Sequence, residues 1–238
     1  MPAASLEVRH LSAGYGRTQV LEDVSFSVPA GGRLSILGRN GMGKTTLMTS
    51  LMGLNRRLSG EIVLDGRDVA ALPTAARAHG GIGLVPQSRE IFKRLTVEEN
   101  LFVGLKGRPR SAIEEAYATF PRLKERRRNL GSQLSGGEQQ MLATARTILG
   151  QPSVLLLDEP LEGLAPVICD MLMESFSTLA ASGEMTILFV EQRLDSALDF
   201  AEQVIILERG RIAWSGDRDT LRASGDILER YVGVGGLH

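Results

Sequence analysis

The run Gly38-Arg39-Asn40-Gly41-Met42-Gly43-Lys44-Thr45 sets three glycines, a lysine and a hydroxyl at the spacing G-x-x-x-x-G-K-[ST]. Glycines at these offsets let the backbone turn so that several N–H groups face one point. The N-terminus of a following helix adds its own donors, and the result is a cradle for phosphate. Lys44 is placed to reach the β- and γ-phosphates of a nucleoside triphosphate, and the Thr45 hydroxyl to ligate Mg²⁺. The nucleotide-binding set read from this loop is Gly38, Asn40, Gly41, Gly43, Lys44, Thr45 and Thr46. Downstream, Val154-Leu155-Leu156-Leu157-Asp158-Glu159 ends an apolar run on two acids. Asp158 is expected to support Mg²⁺. Glu159 is expected to polarise a water aimed at the γ-phosphate.

These residues need elements to hold them. The short apolar run 33–37 reads as the strand that feeds the glycine loop, and 44–52 as the helix after it. The uninterrupted apolar runs 154–157, 186–190 and 204–207 read as strands of a parallel sheet covered on both faces, with helices between them. Asp158 then sits at a carboxyl end, the edge at which such sheets bind ligands. From 6 to 28 the pattern alternates, with Val24, Phe26 and Val28 on one face and Ser25 and Ser27 between them. A further strand is read at 61–64 before the Asp65-Gly66 turn, and these strands form an antiparallel layer. Helical patterns fill 89–149, clearest at 113–120 and 137–149. A last hairpin strand is read at 211–214, with Trp214 as packing, then a helix over 217–223 and a frayed tail at 233–238.

With 238 residues the chain can bury a sizeable core, and 27 basic against 28 acidic side chains give nothing that points to nucleic acid. The single Cys169 excludes an internal disulfide and reads as inert packing. The first residues carry no basic segment followed by an apolar run, so no secretory leader is expected. No run approaches 18 apolar residues, so no membrane span is expected either.

Between the glycine loop and the two acids lies Leu134-Ser135-Gly136-Gly137-Glu138-Gln139-Gln140. This segment resembles the signature of the ATP-binding-cassette (ABC) ATPases, and the resemblance covers nearly the whole chain. It implies a phosphate-loop ATPase fold of the α/β class: a mostly parallel core sheet, an antiparallel β-subdomain and a helical subdomain. It implies one domain over 1–238, with core and β layer at about 1–87 and 150–238, and the helical part at about 88–149. The cofactors implied are ATP and Mg²⁺. Ser135, Gly136 and Gly137 would bind the γ-phosphate of ATP held by a second, identical or different, ATPase subunit. Tyr15 looks like the aromatic residue that stacks on adenine. Gln87 matches the loop glutamine that joins the metal and the attacking water to a membrane partner, and the segment 161–166 matches the loop that crosses between subunits.

The likeness narrows. Glu90-Ile91-Phe92 with Thr96-Val97-Glu98-Glu99-Asn100-Leu101, Phe120-Pro121-Arg122-Leu123, Gly163-Leu164-Ala165-Pro166 and Val190-Glu191-Gln192 resemble the second ATPase of branched-chain amino-acid importers, a subgroup that includes importers of urea and other amides. That implies two transmembrane permeases as partners, a periplasmic solute-binding protein acting indirectly, and a place on the cytoplasmic face of the inner membrane. The segment 89–100 is the expected permease-docking surface. Most of the wider family has a histidine where this chain has Gln192. Gln192 is counted with Glu159 as catalytic, because an amide can donate to phosphate although it cannot titrate. None of His10, His79 and His238 is placed to substitute.

Two other readings compete. A soluble ABC ATPase acting on nucleic acid or ribosomes is disfavoured, because the chain has one cassette and the stretch before the signature is too short for a long coiled coil. A phosphate-loop kinase has no use for residues 134–140. The basic run Arg122, Lys124, Arg126, Arg127 and Arg128 is expected to be a solvated helix face, with contact to anionic lipid as the lesser reading.

Overall fold

Parallel strands buried on both faces form the centre of the molecule. The structure is a computed structural model, and it describes residues 2–232. The tail expected at 233–238, with His238, lies outside the described residues.

One sheet contains β1 (Leu6–Tyr15), β2 (Thr18–Val28), β4 (Arg56–Leu64) and β5 (Arg67–Asp68), in the order β2-β1-β4-β5 and antiparallel throughout. β4 starts at Arg56, earlier than expected. Its first residues are exposed and lack the buried apolar run that marks 62–64. The second sheet contains β3 (Arg33–Leu37), β6 (Ile82–Val85), β7 (Val154–Asp158), β8 (Thr186–Val190), β9 (Gln203–Glu208) and β10 (Arg211–Asp217). Its order is β10-β9-β3-β8-β7-β6, parallel except for the terminal β9–β10 hairpin. All five residues of β7 and of β8 are buried, which explains why both read as unbroken apolar runs. Trp214 lies on β10 after a bulge and packs, half-buried, against a small cluster under α8 (Leu194–Phe200) and α9 (Arg218–Ala223). Asp217 caps α9, its carboxylate accepting the Thr220 N–H at 2.8 Å.

α1 (Lys44–Met52) lies between the two sheets and is buried almost all round, so it shows no strong apolar stripe. Leu47, Met48 and Leu51 are fully buried there, each worth roughly 1.5–3 kcal/mol of apolar burial. Arg77 on α2 (Thr74–His79) reaches the C-terminal carbonyls of α1, where the Gly53 N–H already bonds Ser50 O at 3.0 Å. The buried guanidinium donates to Ser50 O at 2.8 Å, Leu51 O at 2.9 Å, Ala70 O at 2.7 Å and Leu72 O at 3.0 Å. This one side chain ties the helix behind the glycine loop to the loop after β5. Arg77→Ala removes a donor from four carbonyls, of which Ser50 O keeps the Gly53 N–H, and is expected to cost about 3 kcal/mol, read as a fall in the urea midpoint at unchanged slope.

The other side of the parallel sheet is covered by α3 (Val97–Gly104), α4 (Ile113–Thr119), α5 (Pro121–Glu125), α6 (Gly136–Ile148) and α7 (Pro166–Ala181). Cys169 is buried on α7, a packing residue as expected. The basic run is largely paired: Arg122 with Glu125 and Glu138, Arg126 with Glu138, and Lys124 with Glu114. These ion pairs tie the run to the chain's own acids and favour the solvated helix face over the lipid contact. Among the described residues no helix is long and apolar enough to cross a membrane.

Candidate active site

β3 delivers the chain into the glycine loop at Gly38. Its φ of 146° is closed to other residues, and a Cβ there would stand 2.4 Å from the Leu207 carbonyl oxygen. Gly43 then caps α1 without a side-chain hydrogen bond, so the first N–H groups of α1 have no side-chain partner. This is the donor end that an anion needs.

Beside it lies a cavity of about 260 Å³ lined by Asn40, Gly41, Gly43, Lys44, Thr45 and Thr46 on one side. Gln87, Glu159, Glu162 and Gln192 line the other. Lys44 is buried. Its ammonium donates to Gly38 O at 2.8 Å and Arg39 O at 3.2 Å, and lies 3.2 Å from Glu159 Oε1. The other carboxylate oxygen of Glu159 accepts from Gln192 Nε2 at 2.6 Å and Gln87 Nε2 at 3.3 Å. The Gln87 amide also donates to Glu162. Glu159 is therefore held at both oxygens. Its backbone is left-handed, φ 47°, a conformation that costs a non-glycine residue free energy and that turns the side chain out of the strand direction. Its own N–H bonds to Val190 O at 2.9 Å, joining the ends of β7 and β8.

Asp158 is buried at the end of β7, and the Thr45 hydroxyl donates to its Oδ1 at 3.2 Å. Burial pushes this carboxyl up to about 6; the Thr45 hydrogen bond opposes the shift, the charge of Glu159 adds to it, and Lys44 opposes it. The sign follows. An acid raised from 3.8 to about 6 destabilises the folded chain above that range, by roughly 3 kcal/mol at about 1.4 kcal/mol per unit, and by nothing below about pH 4. Asp158→Asn in chelator without nucleotide is expected to raise the thermal midpoint at pH 7, with the gain fading as pH falls through 6 to 4. A loss of stability at pH 7 would contradict the assignment of cause.

Tyr15, at the end of β1, is half-exposed, with its hydroxyl 3.3 Å from Thr49 Oγ1 on α1; it does not line the cavity. Ser135, Gly136 and Gly137 do not line it either. They open α6, with exposed Ser135 as N-cap: its Oγ accepts the Glu138 N–H at 3.3 Å, and Glu138 Oε2 accepts the Ser135 N–H at 2.9 Å. Burial works against the Glu138 carboxylate, but Ser135 and Arg122 together hold it below the usual carboxylate range. His10 pairs with Asp23 and His79 bonds Ala75 O, neither at the cavity.

Two residues of the site escaped the reading of the sequence. Glu162, with its N–H on Glu159 O at 3.2 Å, brings a third acid to the cavity. Glu191 is buried directly behind Gln192. The only signal for either was an acid close to a residue already assigned.

The oxygen donors present fit Mg²⁺, which takes one or two protein oxygens and fills its shell with phosphate and water. The Thr45 hydroxyl and the Asp158 carboxylate supply that pair at the cavity. Among the described residues no group of three or more His, Cys, Asp or Glu forms an all-protein metal cage.

Comparison with known proteins agrees with this geometry. The family described as "ABC transporter" matches residues 21–162, a span holding the glycine loop, Gln87, the start of α6 and both acids at the end of β7. The chain is 38% identical over 227 residues to the high-affinity branched-chain amino acid transport ATP-binding protein BraG of Pseudomonas aeruginosa, covering 94% of this chain and 97% of that one. It is 34% identical over 235 residues to the lipopolysaccharide export system ATP-binding protein LptB of Haemophilus influenzae, covering 96% and 97%. A solved ATP-binding subunit of an ABC transporter superposes with a TM-score of 0.81 at 28% identity, covering 96% of each chain. The chain thus belongs to the ABC transporter family, as an ATP-binding cassette that hydrolyses ATP.

Proposed function

We propose that this cassette is one of two ATPase subunits of an importer for branched-chain or other hydrophobic amino acids, or for a small amide such as urea. The observation that carries the two-subunit reading is the separation of the signature from the Lys44 cavity of the same chain. An exposed helix N-terminus with a hydroxyl at its cap suits an anion brought from outside. The γ-phosphate of the partner's ATP is that anion.

The chemistry then divides among named groups. Lys44 and the amides of residues 40–46 bind the triphosphate, and Tyr15 stacks on the adenine. Thr45 and Asp158, with Gln87, would hold Mg²⁺, which would supply positive charge against the phosphates. Gln192 and Gln87 orient the Glu159 carboxylate, which accepts a proton from the attacking water. Ser135 donates to the γ-phosphate across the interface. Since Gln87 touches both Glu159 and Glu162, any displacement of the loop after β6 reaches the base directly.

That loop suits permease docking. Asn100 is buried and locks it, donating to Phe92 O, Leu95 O and Thr96 O and accepting the Phe92 N–H, while the Phe92 ring stays exposed under the Arg146 guanidinium. The chain is held at the cytoplasmic face of the membrane by two permeases, and a solute-binding protein feeds them. The near-neutral charge favours no nucleic-acid partner. The solute class rests on the likeness to BraG. Vesicles carrying the permeases and this cassette, supplied with the binding protein and ATP, test it. Leucine or urea accumulation supports the importer. ATP-driven export of lipopolysaccharide, with no uptake, would reverse it.

A further inference from the structure

Glu191 takes no part in the chemistry above, yet it is 2% exposed at the end of β8. A buried carboxylate costs free energy unless donors surround it. This one has few. Oε1 accepts the backbone N–H of Gln192 at 2.9 Å and of Arg193 at 3.4 Å, and Oε2 has no hydrogen-bond partner. Burial pushes the carboxyl up and the charge of Glu159 adds to it, against the pull of those two amides and of the Leu161 amide. An apolar side chain would fill the space without that penalty. What it lacks is an acceptor for two successive amides.

Those amides belong to the turn between β8 and α8. Arg193, which caps α8, makes no side-chain capping bond. The turn carries the Gln192 side chain, whose amide sits 2.6 Å from Glu159. We propose that Glu191 is a positioning residue for ATP hydrolysis: its carboxylate clamps the 191–193 turn and so aims the Gln192 amide at Glu159. The inference rests on Glu159 as the base that Gln192 orients.

Steady-state ATPase kinetics of the full chain test it, beside titration with a fluorescent nucleotide. Glu191→Leu is expected to lower kcat about tenfold or more with KM for ATP within about twofold. Glu191→Gln keeps an oxygen acceptor and should stay within about threefold of the parent. Because the clamp acts only through the amide, Glu191→Leu combined with Gln192→Ala should be no slower than Gln192→Ala alone. Losses that multiply in the double variant, or an undiminished kcat in Glu191→Leu, would overturn the proposal. If Glu191→Leu fails to fold, Glu191→Gln decides. A folded chain with kcat down about tenfold contradicts the clamp, and near-parental kcat with the Gln192 and Arg193 amides still protected from exchange supports it. Normal turnover in Glu159→Gln would instead sink the reading beneath it.

Discussion

Glu159→Gln is expected to bind ATP as the parent does and to hydrolyse it about 10²–10⁴-fold more slowly, the range for losing a positioned proton acceptor. The carboxylate faces donors at both ends, Lys44 at Oε1, and Gln192 and Gln87 at Oε2. A carboxamide in that place must turn an NH₂ toward one of them and cannot take a proton from water. ATP binding draws on Lys44 and the amides of the glycine loop, which the substitution leaves in place. Turnover blocked after binding traps the closed pair, so gel filtration with ATP should show a dimer where the parent runs mostly as a monomer. Unimpaired phosphate release would reject Glu159 as the base.

Ser135→Arg is expected to abolish turnover, a loss of more than about 10²-fold, while each monomer still binds nucleotide. The substitution removes the cap on α6, a cost of about 1 kcal/mol that the fold can bear. Its main effect lies elsewhere. A long cation replaces the small hydroxyl at the exposed cap, and a second chain carrying ATP cannot close on it. Because Ser135 does not line the Lys44 cavity of its own chain, nucleotide affinity should not move. Lost binding in the isolated monomer would mean that Ser135 serves its own site.

Much of the site was legible because its chemistry is local. The glycine loop and the two acids at the end of β7 announce themselves within eight residues or fewer, and the buried strands within five. The strand order was not legible. β3 lies between β8 and β9, and nothing in the three apolar runs says which neighbours which. Nor were the pairings at distance. Arg77 finds the end of α1 some two dozen residues away, and Glu138 gathers Arg122 and Arg126 from the preceding helix, so what reads as a bare basic run is a partly neutralised one. α7 could have been delimited from sequence, since Pro166 opens it and Cys169, Leu172, Phe176 and Ala180 mark one buried face at helical spacing. For Glu191 the only signal was its place beside Gln192. A lone acid after an apolar run reads as the strand's exposed end, and only the burial of the turn reveals it as a clamp.

The claim on which the account turns is that each ATP is completed by the signature of the other chain. Mixing two inactive chains measures it most directly. A Lys44→Ala chain lacks a working phosphate loop but keeps its signature, and a Ser135→Arg chain has the reverse. In a mixed dimer one site is doubly broken, and the other combines an intact loop with an intact signature. Phosphate release from an equal mixture should therefore recover to about a quarter of the parental rate, since half the dimers are mixed and each has one sound site. A mixture as inactive as its two components would contradict the shared site.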